Sequence, residues 1–224
     1  MRNRKLYAGA AAAGAVVVGT IALTAGGNAV ASSAGSAHDH GHHHGHHHGR
    51  TVDGRLNTLN NSGVTGYGVI TVEGRTLHVR YDASKLAPGL PHAAHIHYGA
   101  QARHECPSVA DDANHDFRLN VAEGVPEYGP IAKSLTTRGD TSPASALAVN
   151  RFPTAPKGMI HYKRLITADK AVARAVRRGE GVLVVHGVDY NHNGKYDFAG
   201  AGRSEIDPSL PAEATDPAVC GVLR

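Results

Sequence analysis

The chain has 224 residues, with 23 Lys+Arg against 19 Asp+Glu, two cysteines and no tryptophan. Residues 1–31 hold three of the basic residues (Arg2, Arg4 and Lys5) and no acidic one, which leaves 20 against 19 in the remainder. A nearly neutral remainder with no aromatic-rich basic segment excludes an electrostatic footprint for nucleic acid.

Residues 1–31 read as a secretory signal. The three basic residues open it, an Ala/Gly/Val-rich stretch runs from Leu6 to Leu23, and Ala29-Val30-Ala31 is a small-x-small cleavage site. The rival reading is an uncleaved anchor, because the apolar stretch approaches the length of a span. Its Ala and Gly content and the cleavage pattern favour removal. A chain so processed is secreted or held in the cell envelope and has no stable membrane partner. Residues 32–51 form a tail and linker with His38, His40, His42, His43, His44, His46, His47 and His48 spaced by Gly and Asp39. Such a segment has no core to bury and is expected to be disordered without metal. Its neutral imidazoles suit low-specificity capture of Cu²⁺, Zn²⁺ or Ni²⁺. A purification tag is the alternative, but tags are usually uninterrupted and terminal.

The folded domain is expected over 52–224, a normal size for one domain. Residues 67–72 (Tyr-Gly-Val-Ile-Thr-Val) form a strand candidate ending at the turn pair Glu73-Gly74. Residues 76–81 then alternate, with Leu77, Val79 and Tyr81 on one face and His78 on the polar one. Further strand candidates are 93–98, 131–136, 144–149, 159–163 and 181–186. Between the last two, residues 168–178 carry a helical stripe of Ala171, Val172, Ala175 and Val176, with Thr167 as N-cap and Gly179 as terminator. Short strands separated by Gly, Pro and Asp turns point to an all-β antiparallel sandwich or barrel with one short helix.

The chemistry concentrates on the strand at 93–98. Residues i and i+2 of a strand share a face, so His95 and His97 project side by side while Ile96 faces the other way. His186 ends the apolar strand Val182-Leu183-Val184-Val185. Paired imidazoles with further donors brought from elsewhere make a copper or zinc site. His92 has the wrong parity to join them, and His104 and His192 lie in polar loops. Later, Asp189, Asn191, Asn193 and Asp197 place oxygens at alternate positions with Gly194 sixth, the first half of a calcium loop. Gly200 stands where the twelfth-position Glu is expected, and Glu205 or Asp207 could replace it only if the chain folds back. The competing reading is an Asx/Gly turn. Cys106 and Cys220 are an even pair, which in an exported chain reads as a disulfide rather than two buried thiols.

The order His95-Ile96-His97, loop Cys106, Val184-Val185-His186 and terminal Cys220-Gly221-Val222 resembles copper/zinc superoxide dismutase over about residues 63–223. The resemblance implies a Greek-key β-sandwich and pairing of the loop cysteine with the terminal one. It implies copper ligation by His95, His97 and His186, with His115 as the fourth ligand and His161 as its competitor. The family's zinc loop supplies further histidines, and none lies between His115 and His161, so a copper-only site is expected and zinc is not. The arginine that the family places three residues before the last cysteine is here Pro217, which weakens steering of an anion unless Arg203 or another arginine substitutes. The Ala/His lead-in to His95-Ile96-His97 also resembles bacterial CHRD (chordin-like) domains. Three functions therefore compete. The first is an exported superoxide dismutase, with superoxide as substrate. The second is a non-enzymatic copper-binding or buffering protein, with copper ions as its partner. The third is a metal-free cell-surface sandwich.

Overall fold

The computed structural model describes residues 49–224; the expected signal at 1–31 and nearly all of the His-rich tail lie outside the described residues. Eight strands make one curled antiparallel sheet in the order β5-β4-β7-β8-β1-β2-β3-β6. They are β1 (Arg50–Thr58), β2 (Thr65–Glu73), β3 (Thr76–Ser84), β4 (Ala94–His97), β5 (Ile131–Ser134), β6 (Met159–Thr167), β7 (Gly181–His186) and β8 (Pro217–Leu223). The architecture is all-β and sandwich-like. β1 makes the fold possible by pairing with β2 from Arg50 to Leu56 and then with β8 at Asn57 and Thr58. It thereby joins a half formed by β1, β2, β3 and β6 to a half formed by β8, β7, β4 and β5.

Side-chain alternation explains how the halves pack. In β3, Leu77, Val79, Tyr81 and Ala83 are buried in the main core while the residues between them face outward. The β2–β3 turn needs only Gly74 and Arg75, and Gly74 takes the positive φ of 60° that a tight hairpin requires. β4 and β7 are different, because both of their faces are buried. Ala94, Ile96, Leu183 and Val185 point into the main core. Val182 and Val184 point the other way, into a second apolar cluster with Leu59, Leu119, Tyr128 and Cys220. Loops therefore cover the outer face of this half, and the candidate site lies under that cover.

Two features hold the cover down. Cys106 is bonded to Cys220 in β8, closing a sequence separation of 114 residues. Helix α1 (Val121–Tyr128) begins with a reciprocal cap between Asn120 and Glu123 and buries Tyr128 completely. A disulfide of this kind belongs to an oxidising, non-cytoplasmic setting. No helix of the described residues is long and apolar enough to cross a membrane.

The structure corrects several expectations. Residues 144–149 do not form a strand; they run through two 3₁₀ turns. Asp140 Oδ2 accepts hydrogen bonds from the hydroxyls of Ser142 (2.6 Å) and Ser145 (2.5 Å), which curls the segment. Its alanines also offer little surface to bury. The expected helix is α2 (Lys170–Arg177), capped by Asp169 and not by Thr167, which still belongs to β6. Its buried stripe is Val172, Ala173, Ala175 and Val176, so Ala173 takes the place expected for Ala171. Gly179 ends it at φ 79°. Helix α1 and the short turns α3 (Phe198–Ala201) and α4 (Ala212–Thr215) were not signalled by hydrophobic period. The turns α3 and α4 are four residues each, too short for a periodic pattern to register, and the buried face of α1 carries Gly124 and Glu127 in place of an apolar stripe.

Candidate metal centre

His95 and His97 lie on the outer face of β4, opposite Ile96, as strand parity requires. β4 pairs with β7 so that His95 faces Val184 and His97 faces Val182. His186 continues the Val182/Val184 parity of β7 and therefore joins the same face. The register of two neighbouring strands thus brings together residues about ninety positions apart. All three imidazoles are buried, with exposures of 0–3%. One ring nitrogen from each lies within 4.8 Å of those of the other two.

Backbone carbonyls set the protonation of each ring. His97 Nδ1 donates to the Gly129 carbonyl at 2.8 Å, and His186 Nδ1 donates to the Thr215 carbonyl at 2.6 Å. His95 Nε2 donates to the Ala146 carbonyl at 3.1 Å. A carbonyl only accepts, so each of these nitrogens carries the proton and the other ring nitrogen of the neutral imidazole is a lone pair. Those lone pairs are His95 Nδ1, His97 Nε2 and His186 Nε2. Six buried side-chain polar atoms among the described residues have no hydrogen-bond partner, and these are three of them, so the shortfall is concentrated here. Each such orphan costs about 1–3 kcal/mol in an otherwise satisfied interior. Three together, one on each ring of a single buried group, form a donor set that a metal cation could satisfy.

The surroundings keep the rings neutral. Burial, then the neighbouring His186, lowers the pKa of His97 to about 3. Burial lowers His186 to about 4, and burial with both neighbours holds His95 well below its ordinary value. Tyr128 lies against His97 at 4.3 Å between ring centroids, and Phe152 meets His95 edge-on at 5.4 Å. The Thr215 carbonyl that orients His186 is held from behind. The adjoining Asp216 accepts from Arg118 at 2.5 Å and from the Tyr190 hydroxyl at 2.9 Å. His92 is buried outside the group, hydrogen-bonded through Nδ1 to the backbone carbonyl of His186 at 2.9 Å. A cavity of about 40 Å³ reaches His95 and His186. Leu147, Val149 and Phe152 line it from one segment, Ile206 and Leu210 from a later loop and Ala214 from α4, and no Lys, Arg, Asp or Glu lines it.

Three of the four expected ligands are thus brought together and the fourth is not. His115 is exposed in a loop at φ 59°, outside the group. Its competitor His161 is also exposed, on β6 in the other half of the sheet, where Nδ1 meets Asp82 Oδ1 at 2.5 Å. The group contains no fourth His, Cys, Asp or Glu among the described residues. Arg203 does not take the place of the arginine missing at Pro217; it stacks on Phe198 and donates to the Pro208 carbonyl. The expected Cys106–Cys220 bond is present.

The loop of Asp189, Asn191, Asn193 and Asp197 is built from Asx turns. Asp189 accepts from the backbone of Asn193 and Gly194, and Asn193 Oδ1 accepts from Lys195 N. Asp197 accepts from Asn193 Nδ2 at 2.7 Å and caps α3 through Ala199 N. Glu205 and Asp207 do not complete this loop: Glu205 receives Val121 N and Asp207 caps Ser209. Glu213 does, accepting from Tyr190 N and Asp197 N while fully buried, and a Cβ on Gly200 would collide with its carboxylate. Sequence spacing could not find Glu213, because it arrives from α4. The carbonyls of Gly129, Ala146 and Thr215 were equally invisible, since a backbone acceptor leaves no trace in residue type.

No known family matches this chain, and no curated protein matches it.

Proposed function

We propose that this is an exported copper-binding protein, holding one copper ion through His95 Nδ1, His97 Nε2 and His186 Nε2. The observation that carries this reading is the buried group of His95, His97 and His186, which brings one ring nitrogen from each within 4.8 Å of the others and leaves one nitrogen on each ring without a hydrogen-bond partner. Imidazole donors suit copper, zinc, iron and nickel, and the superoxide dismutase-like order of the motifs favours copper among them. The disulfide supports a non-cytoplasmic setting. The His-rich tail would supply a second, weaker copper-collecting element ahead of the buried one.

The test uses the full chain with the tail donors removed (H38S, H40S, H42S, H43S, H44S, H46S, H47S and H48S). After separate loading with Cu⁺ under anaerobic conditions and with Cu²⁺, followed by dialysis, elemental analysis should find about one copper per chain from at least one of the two and little zinc. His97→Ala should reduce it to near zero. A protein that retains no metal would sink the reading and leave the metal-free sandwich.

Superoxide dismutation is the second reading. It is favoured by the cavity that reaches two of the three histidines and by the superoxide dismutase-like order of the motifs. Copper bound there would supply the one-electron couple that converting superoxide to O₂ and H₂O₂ needs. This chain's residues would orient the rings and exclude bulk water, but no cationic side chain lines the cavity to draw an anion in. For that reason holding copper is ranked above turnover. Dismutation by the loaded protein that is lost in His186→Ala would reverse the ranking.

A further inference from the structure

We propose that the three-histidine centre is selective for monovalent ions, taking Cu⁺, and its closed-shell analogue Ag⁺, in preference to Cu²⁺ or Zn²⁺. The inference rests on the copper reading above and goes beyond it to the charge of the ion. Three observations combine.

The first is the charge of the donors. All three are neutral imidazoles whose protons are committed to backbone carbonyls, and no carboxylate or thiolate joins them. The ion therefore keeps its whole charge inside the protein. The second is the medium. The rings are 0–3% exposed, Tyr128 and Phe152 pack on them, and the adjoining cavity has no charged residue in its lining. The cost of placing an ion in such a medium rises with the square of its charge, so a divalent ion bears about four times the penalty of a monovalent one. The third is the number of donors. Zn²⁺ is bound almost always by four ligands and Cu²⁺ prefers tetragonal surroundings. Neither His115 nor His161 is near enough to extend the set. Three nitrogens are sufficient for Cu⁺, a closed-shell ion with no preference for a square arrangement.

The sequence of the His-rich tail carries the opposite chemistry in the same chain. Its eight histidines, spaced by glycine and Asp39 with no apolar run between them, suit hydrated divalent ions. The two elements would then divide the oxidation states of copper between them.

The experiment titrates the tail-substituted full chain anaerobically with silver nitrate, copper(I) acetonitrile complex, copper(II) sulfate and zinc sulfate. It reads metal retained after dialysis and the shift of the thermal transition. Expected are one Ag⁺ or Cu⁺ per chain, affinities at least a hundredfold above those for Cu²⁺ and Zn²⁺, and copper that gives no Cu²⁺ paramagnetic signal. His97→Ala should lose Ag⁺ uptake while still unfolding cooperatively. Cu²⁺ held as tightly as Ag⁺ would overturn this proposal and leave the copper reading standing. Retention of no ion at all would overturn both. Undiminished Ag⁺ uptake in His97→Ala would locate the ion elsewhere and overturn the assignment to this centre.

Discussion

Among the described residues, two places carry metal-ligand spacing, and they differ in what their polar atoms already do. At His95, His97 and His186 each ring uses one nitrogen on a carbonyl, and the other has no partner. In the loop from Asp189 to Asp197, each carboxylate already accepts hydrogen bonds, and so does the buried Glu213 that closes the loop. The loop has folded using its oxygens as acceptors, so a cation there would be an addition. The histidine centre has folded at the expense of three lone pairs, so a cation there would be a completion. Spacing of residue types marks both segments alike; hydrogen-bond satisfaction separates them.

Acid should separate them most. The folded-state pKa values are lowered, to about 3 at His97 and about 4 at His186, while the unfolded chain takes up these protons near 6.5. For these rings the unfolded state therefore binds more protons throughout that interval, and their contribution to stability falls as pH drops from about 6.5 towards 3, opposed by the single carboxyl of Asp216, which burial raises to about 7. Each extra proton contributes a slope of about 1.4 kcal/mol per pH unit. Denaturant midpoints of the metal-free protein at pH 7.5, 5.5 and 4.5 should decline steadily, and the decline should be shallower in a folded His186→Gln variant. A flat profile would mean that the rings are not held neutral by burial.

The disulfide should come next. It ties Cys106 to the strand whose Cys220 lies beside Val184, on the histidine side of the half-sheet. Paired replacement by serine (C106S with C220S) should cost about 2–5 kcal/mol in denaturant unfolding. Because the covering loops then loosen, copper retention should fall as well. A variant that loses stability yet holds a full equivalent of copper would show that the cover is not needed to hold the rings.

Copper itself should stabilise by about 2.7 kcal/mol at a hundredfold excess over its Kd, provided it binds only the folded state. For a domain of this size that corresponds to about 5–11 °C in Tm. The tail-substituted protein isolates this effect, and differential scanning calorimetry with and without copper reads it. An unmoved Tm would leave the three nitrogens without the completion argued for them.

How much of this was legible in the sequence depends on whether the signal is local. The parity of His95 and His97 follows from the two-residue repeat of a strand, and it holds. His186 was placed by its strand and by resemblance, and the β4–β7 register brings it to the pair. His115 was placed by resemblance alone, and its loop turns it outward, because nothing in the spacing from Cys106 fixes where a side chain on a loop points. Residues 144–149 were misread as a strand because alternation in Ala-rich sequence is a weak signal, and Asp140 and its serines draw the backbone into turns. Those same residues supply Ala146, Leu147 and Val149 to the cavity beside the centre. The site's cover was therefore the part least visible beforehand, since it is made of loops with backbone acceptors and carries no periodic pattern.

The smallest expected effect tests the loop. A carboxylate oxygen can accept more than one partner, so the hydrogen bonds of Asp189, Asp197 and Glu213 leave lone pairs for an ion. Glu213 is fully buried with its carboxylate against Gly200, the twelfth residue counted from Asp189, and it forms no ion pair among the described residues. The asparagines at the third and fifth positions lower the charge of the set, and extracellular calcium modules hold their ion with Kd of about 10⁻⁴–10⁻³ M. At ten times such a Kd, Ca²⁺ should add about 1.4 kcal/mol, or about 3–6 °C in Tm. The increment should vanish in Glu213→Gln, read as the difference with and without Ca²⁺ so that any structural cost of the substitution cancels. Because the loop's hydrogen bonds are complete, chelator should lower Tm only back to the calcium-free value and should not unfold it. A Tm indifferent to both Ca²⁺ and chelator would assign the loop to Asx turns alone, and would make the unpartnered histidine nitrogens the sole metal signature in the described part of the chain that its folding supports.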